Sequence, residues 1–112
     1  MRLIVLSVLI TFGSTLSAQT PAAAGNAENG KKIFASYGCY QCHGYAGQGG
    51  AGARIAPRPI AFEAFKKYVR KPLDQMPPYT EKVVTDKELA DIYAFLLTIP
   101  APPNVDSISI LK

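Results

Sequence analysis

Cysteine, histidine and methionine are all scarce in this sequence: its 112 residues include two cysteines, one histidine and two methionines. Two cysteines cannot build a multi-disulfide scaffold. The length excludes a large enzyme fold and leaves room for a single small domain, and no internal repeat extends it. Acidic residues are also few, 8 against 12 Lys and Arg, which gives a formal charge of +4. With 48% hydrophobic, 10% aromatic and 18% charged residues, the composition is not that of a wholly disordered chain. No apolar run is long enough to cross a bilayer as a helix.

The longest such run, MRLIVLSVLITF from Met1 to Phe12, is basic at its start and followed by the small residues Ser14, Ser17 and Ala18. This pattern reads as a secretory signal peptide over residues 1–18, although cleavage after Ala18 leaves Leu16 where a small residue is usual, so the cut is fixed only to within a few positions. The competing reading is an uncleaved anchor, which the short run disfavours. Export into the periplasm is the expectation, with no stable membrane span once the signal is removed. A chain bound there with modest positive charge gives no case for nucleic acid. Residues 19–25, rich in Ala, Pro and Gly, read as a flexible leader, 26–99 as the folded domain and 100–112 as a Pro-rich tail that either frays or docks on a partner. A domain this small buries a limited share of its surface, so a disulfide, metal or large cofactor would add considerably to its stability.

Three helices and no strand are predicted within that domain. Asn26 is placed as an N-cap before Glu28, Ile33, Phe34 and Tyr37, with Gly38 as the stop. Gly44, Gly47, Gly49, Gly50 and Gly52, followed by Pro57 and Pro59, mark a loop. Ala61 to Arg70 sets Phe62, Phe65 and Val69 opposite Glu63, Lys66, Lys67 and Arg70, an amphipathic pattern ending before Pro72. Thr85 and Glu88 match a capping box ahead of the stripe Leu89, Ile92, Tyr93, Leu96 and Leu97, which Pro100 terminates.

The chemistry is concentrated in Cys39-Tyr40-Gln41-Cys42-His43. Two thiols three positions apart can add to the vinyl groups of haem while the adjacent imidazole reaches the iron, the signature of covalent c-type attachment. Structural zinc needs four ligands where this chain offers three. A thioredoxin-like pair needs a strand before it and a helix after it, whereas a helix precedes and a glycine loop follows. A disulfide over so short a loop stabilises little. If His43 is one axial ligand, Met76 is the only methionine left in the exported chain to supply a thioether, and Pro77 and Pro78 hold its loop extended. The other reading of Met76 is a filler of the core.

From about Asn26 to Ile99 the chain resembles the class I c-type cytochromes of the bacterial monohaem type. The likeness is carried by Gly30 and Phe34 leading into CYQCH, the glycine loop, the helix ending VRKP, the MPPY segment and the final helix ELADIYAFL. It implies an all-α small cytochrome c fold, three main helices and loops wrapped around one covalently attached haem c. It further implies thioethers at Cys39 and Cys42, axial ligation by His43 and Met76, and a crossing of the first and last helices at Gly30 and Phe34 against Ile92 and Phe95. A backbone carbonyl should bond the other nitrogen of His43. The family usually carries a proline in the glycine loop where Ala53 stands here, ahead of Arg54 and Ile55, with Pro57 the candidate to take over its role, so which carbonyl does this is open.

A six-coordinate iron leaves no open position for substrate, so the expected task is outer-sphere electron transfer and not enzymatic catalysis. Ile33, Phe34, Ile55, Phe65, Val69, Leu89, Ile92, Phe95 and Leu96 are candidates for the apolar wall. Arg54, Arg58, Lys66, Lys67, Arg70 and Lys71 form either a basic face that steers an acidic redox partner, such as a dehydrogenase or an oxidase, or pairs with haem propionates, or else an ordinary solvated surface. The alternative function is a haem-based sensor in which a small gas displaces Met76.

Overall fold

The computed structural model describes residues 24–111; the signal peptide read from the sequence and most of the leader lie outside them. The described residues contain four α-helices and no strand: α1 (Ala27–Ser36), α2 (Cys39–His43), α3 (Phe62–Arg70) and α4 (Asp86–Thr98). Three of these are the predicted helices. The fourth is the cysteine motif itself, which coils into a single turn instead of simply following α1. Two 3₁₀ turns, Val105–Ser107 and Ser109–Leu111, occur in the exposed tail.

Local chemistry accounts for the helix ends. The Asn26 side chain accepts the Asn29 amide at 2.9 Å, satisfying one of the donors that a helix N-terminus leaves free. At α4 the Thr85 hydroxyl accepts the Glu88 amide at 3.2 Å while the Glu88 carboxylate accepts the Thr85 amide at 2.7 Å, completing the reciprocal box.

The frame is the crossing of α1 on α4. A Cβ built on Gly30 would run into the main-chain carbonyl of Asp91, so the two backbones are closer here than any side chain permits. One turn further along, the rings of Phe34 and Phe95 lie 5.6 Å apart between centroids, tilted by 54°. A buried carboxylate locks the same crossing. Asp91, 2% exposed, accepts the Asn26 amide and the Asn29 side-chain amide, each at 2.7 Å, and pairs with Lys87 at 3.3 Å. Burial alone would raise its pKa, but those bonds together hold it below the usual aspartate range.

Helix α3 closes the third side. Phe65 and Val69 are buried, and Tyr93 of α4 receives Phe62 edge-on at 5.2 Å and Phe65 at 5.5 Å. One apolar cluster results, formed by Ile33, Phe34, Ala56, Phe65, Val69, Val84, Leu89, Ile92, Phe95 and Leu96. Of the residues expected in the apolar wall, only Ile55 is half-buried rather than buried. Ala56 and Val84 join them from loops, where no periodicity announces a buried position.

Candidate functional site

Gly38, in the left-handed region with φ 74°, turns the chain from α1 into α2. Cys39 and Cys42 then lie three residues apart on that turn, the separation that sets two side chains on one helical face. Both are free thiols, Cys39 half-buried and Cys42 exposed. Burial pushes the Cys39 thiol pKa up, against a smaller lowering by a backbone hydrogen bond, so this sulfur is held neutral.

So short a helix leaves its last carbonyls without partners, and the glycine loop supplies them. The Gly52 amide donates to the Cys42 carbonyl and the Gly49 amide to the His43 carbonyl, both at 2.8 Å. This return brings the Ala53 carbonyl within 2.7 Å of His43 Nδ1. A carbonyl can only accept, so Nδ1 carries a proton, and in the neutral imidazole this leaves the lone pair on Nε2. The open question of which carbonyl bonds His43 is thereby answered: it is that of Ala53, the residue occupying the proline position. Gly52 packs tightly beneath the ring: a Cβ there would sit 3.0 Å from His43 Cε1 and 3.2 Å from Cys42 Cβ, so any side chain would have to push the imidazole aside. Tyr40 of the motif stacks on Tyr45 at 4.4 Å, pinning the motif to the loop that follows.

Met76 lies in the connection between α3 and α4, half-buried, and packs against the same apolar cluster that Cys39 borders. That connection is tied at its neck. The Tyr79 amide donates to the Val69 carbonyl at 3.1 Å, and Arg70 Nη1 donates to the carbonyls of Tyr79 and Val84 at 2.8 and 2.7 Å. Arg70 Nη2 also donates to Asp86 at 2.6 Å, and the Tyr79 hydroxyl donates to the Tyr37 carbonyl at 3.1 Å. The Arg70 hydrogen bond is the largest cause pulling the Asp86 carboxyl below its usual range, and Lys66 adds to it.

The basic residues are therefore divided in use. Arg70 is spent on the neck, and Lys66 pairs with Glu63 at 3.2 Å and Asp86 at 3.6 Å. Lys67 and Lys71 are exposed, and Arg54 and Arg58 line a recess of about 260 Å³ with Ala56, Pro57, Ala101 and Pro102. Sequence reasoning missed two polar elements, the Asp91 latch and the Arg70 neck. An acid interrupting the apolar stripe of α4 was the available signal for the first. The second depends on how a proline-broken loop returns, which no local pattern encodes.

The donor set fits haem better than a metal ion bound directly: among the described residues no group of three or more His, Cys, Asp or Glu side chains comes together to hold one. Two free thiols on one turn, an imidazole with its distal nitrogen unencumbered and a helical frame with an apolar core define a c-type cytochrome. Residues 25–96 match the family described as cytochrome c oxidase, cbb3-type, subunit III, and the chain belongs to that family. No curated protein and no solved structure matches it. No helix among the described residues is long and apolar enough to cross a membrane.

Proposed function

We propose that this protein is a periplasmic monohaem cytochrome that carries single electrons between redox partner proteins, either as a soluble shuttle or as the electron-transfer subunit of a larger oxidoreductase. Cys39 and Cys42 would hold haem c through thioethers, and His43 and Met76 would supply the ligands to its iron. The observation that carries this reading is His43: its Nδ1 is engaged by the Ala53 carbonyl at 2.7 Å, beside two free thiols. A ligand imidazole fixed through its other nitrogen has a set tautomer and ring orientation, and the bond raises its basicity.

Bound haem supplies a one-electron iron centre, whose potential thioether ligation raises. The chain's own part is to bury the ring, keep water from it and limit its movement when the charge changes. The apolar cluster from Ile33 to Leu96 serves that purpose. No proton donor, acceptor or nucleophile is needed, so the protein acts as a carrier and not as a catalyst. Lys67, Lys71, Arg54 and Arg58 are exposed and so available to attract an acidic partner.

The test is expression of the exported chain in a host that matures c-type cytochromes. The purified protein should be red and keep its colour on acid–acetone extraction. A colourless product overturns the reading. Carbon monoxide added to the reduced protein at neutral pH should leave the spectrum unchanged, whereas rapid and complete binding would favour the gas-binding alternative over the carrier.

A further inference from the structure

The chain leaves α3 at Arg70, runs through Met76 and comes back to Arg70 at Tyr79. The return is closed by two backbone-directed bonds at one point, the Tyr79 amide to the Val69 carbonyl at 3.1 Å and Arg70 Nη1 to the Tyr79 carbonyl at 2.8 Å. The guanidinium extends the closure to the far end of the connection through the Val84 carbonyl at 2.7 Å and Asp86 at 2.6 Å. Its three contacts are thus made within one planar fork, a geometry that a lysine ammonium cannot reproduce. Arg70 is only 22% exposed in its side chain, so these bonds are partly withdrawn from competing water.

Between Tyr79 and Met76 stand only Pro77 and Pro78, whose rings fix φ and remove two backbone donors. A displacement at Tyr79 is therefore passed to Met76 with little slack. From the other side, the Tyr79 hydroxyl reaches the carbonyl of Tyr37, two residues before Cys39. The same tyrosine connects the methionine segment to the start of the cysteine motif.

We infer that Arg70 and Tyr79 are positioning residues that hold Met76 at its ligating depth, so that the strength of the thioether ligation is set at this neck and not by Met76 alone. The inference rests on Met76 being the second axial ligand. A frayed neck lets the prolines swing as one piece, Met76 dissociates more often, and the vacated position becomes open to an external ligand.

The experiment uses the mature haem-loaded protein and its Arg70→Lys, Tyr79→Phe, Met76→Ala and Lys66→Ala variants. Three readouts are taken: the rate of carbon monoxide binding to the reduced form, the reduction potential, and hydrogen exchange at the Tyr79 amide. Helical content by circular dichroism checks the fold. Arg70→Lys should bind carbon monoxide about tenfold faster, the change expected on losing one charge-assisted bond, with a lowered potential and faster Tyr79 exchange at unchanged helicity. Tyr79→Phe should move all three readouts in the same direction by less, and it carries the test if Arg70→Lys does not fold. Lys66→Ala, which removes the other cation beside Asp86, should leave them unchanged. If Met76→Ala binds the gas readily while Arg70→Lys and Tyr79→Phe behave as the parent, the neck does not position the ligand and the inference is overturned. If Met76→Ala itself behaves as the parent, the ligand assignment falls, and the inference with it.

Discussion

His43 Nδ1 lies 2.7 Å from the main-chain oxygen of Ala53, ten residues further along the chain. The bond exists because the glycine loop folds back under the imidazole, and its closest approach is Gly52, where a Cβ would stand 3.0 Å from His43 Cε1. Alanine at this position must push the ring by a few tenths of an ångström, and valine by more. Gly52→Val should cost about 2 kcal/mol of stability through overpacking. It should also weaken the bond to Ala53, seen as faster exchange of the His43 Nδ1 proton by NMR.

The Gly30 contact is less forgiving, because the atom it meets is main chain. A methyl group there would collide with the Asp91 carbonyl, and a backbone inside α4 cannot move aside as a side chain can. Gly30→Ala gains helix propensity within α1, worth under about 1 kcal/mol. The forced separation of α1 from α4 opposes it, costing about 3 kcal/mol at this crossing. The clash should win, so thermal unfolding should shift to lower temperature. An increase in stability would show that the crossing leaves room for a methyl group at this position.

How much of this was legible beforehand divides along a physical line. Helices α1, α3 and α4 announce themselves through local signals: Asn26 as a cap, the spacing of Phe65 and Val69, and the Thr85–Glu88 box. The site motif is equally local, since Cys39, Cys42 and His43 are contiguous. What escaped are features set by chain return. Val84 is 2% exposed within a turn and carries no periodic signal, and Ala56 is buried where the loop returns and its amide donates to the Gly47 carbonyl at 3.0 Å. The basic character of α3 likewise reads as one surface in sequence, yet Arg70 turns inward to the carbonyls of Tyr79 and Val84.

Asp91 predicts a pH dependence whose sign follows from its lowered pKa. Three donors favour the ionised form in the folded state, so the unfolded chain takes up a proton at higher pH than the folded one. The stabilisation is therefore complete above about pH 5 and is lost as the pH falls through the folded-state value, below the ordinary aspartate value. Asp91→Ala should cost about 3 kcal/mol at neutral pH, because the Asn26 amide and the Asn29 side chain lose their acceptor. The gap between parent and variant, measured by denaturant unfolding across pH, should narrow below about pH 4. A gap that stays constant to pH 2 would mean that the carboxylate is not the linked group.

The capping box at α4 gives a prediction about coupling. The Thr85 hydroxyl and the Glu88 carboxylate each accept the other's amide, and the carboxylate also accepts the Thr85 hydroxyl at 2.9 Å. These bonds, led by the one from the Thr85 backbone, lower the Glu88 pKa. Thr85→Ala should cost about 1 kcal/mol, the usual loss for an N-cap. Glu88→Ala removes the partner and also the acceptor of the Tyr37 hydroxyl at 3.3 Å, so its cost should be at least as large. Because each substitution already breaks the shared bond between the two side chains, the double variant should lose less than the sum of the single losses, by about 0.5 kcal/mol or more. Denaturant unfolding of the four proteins in the cycle measures this directly, and strict additivity would show that the two halves of the box act independently.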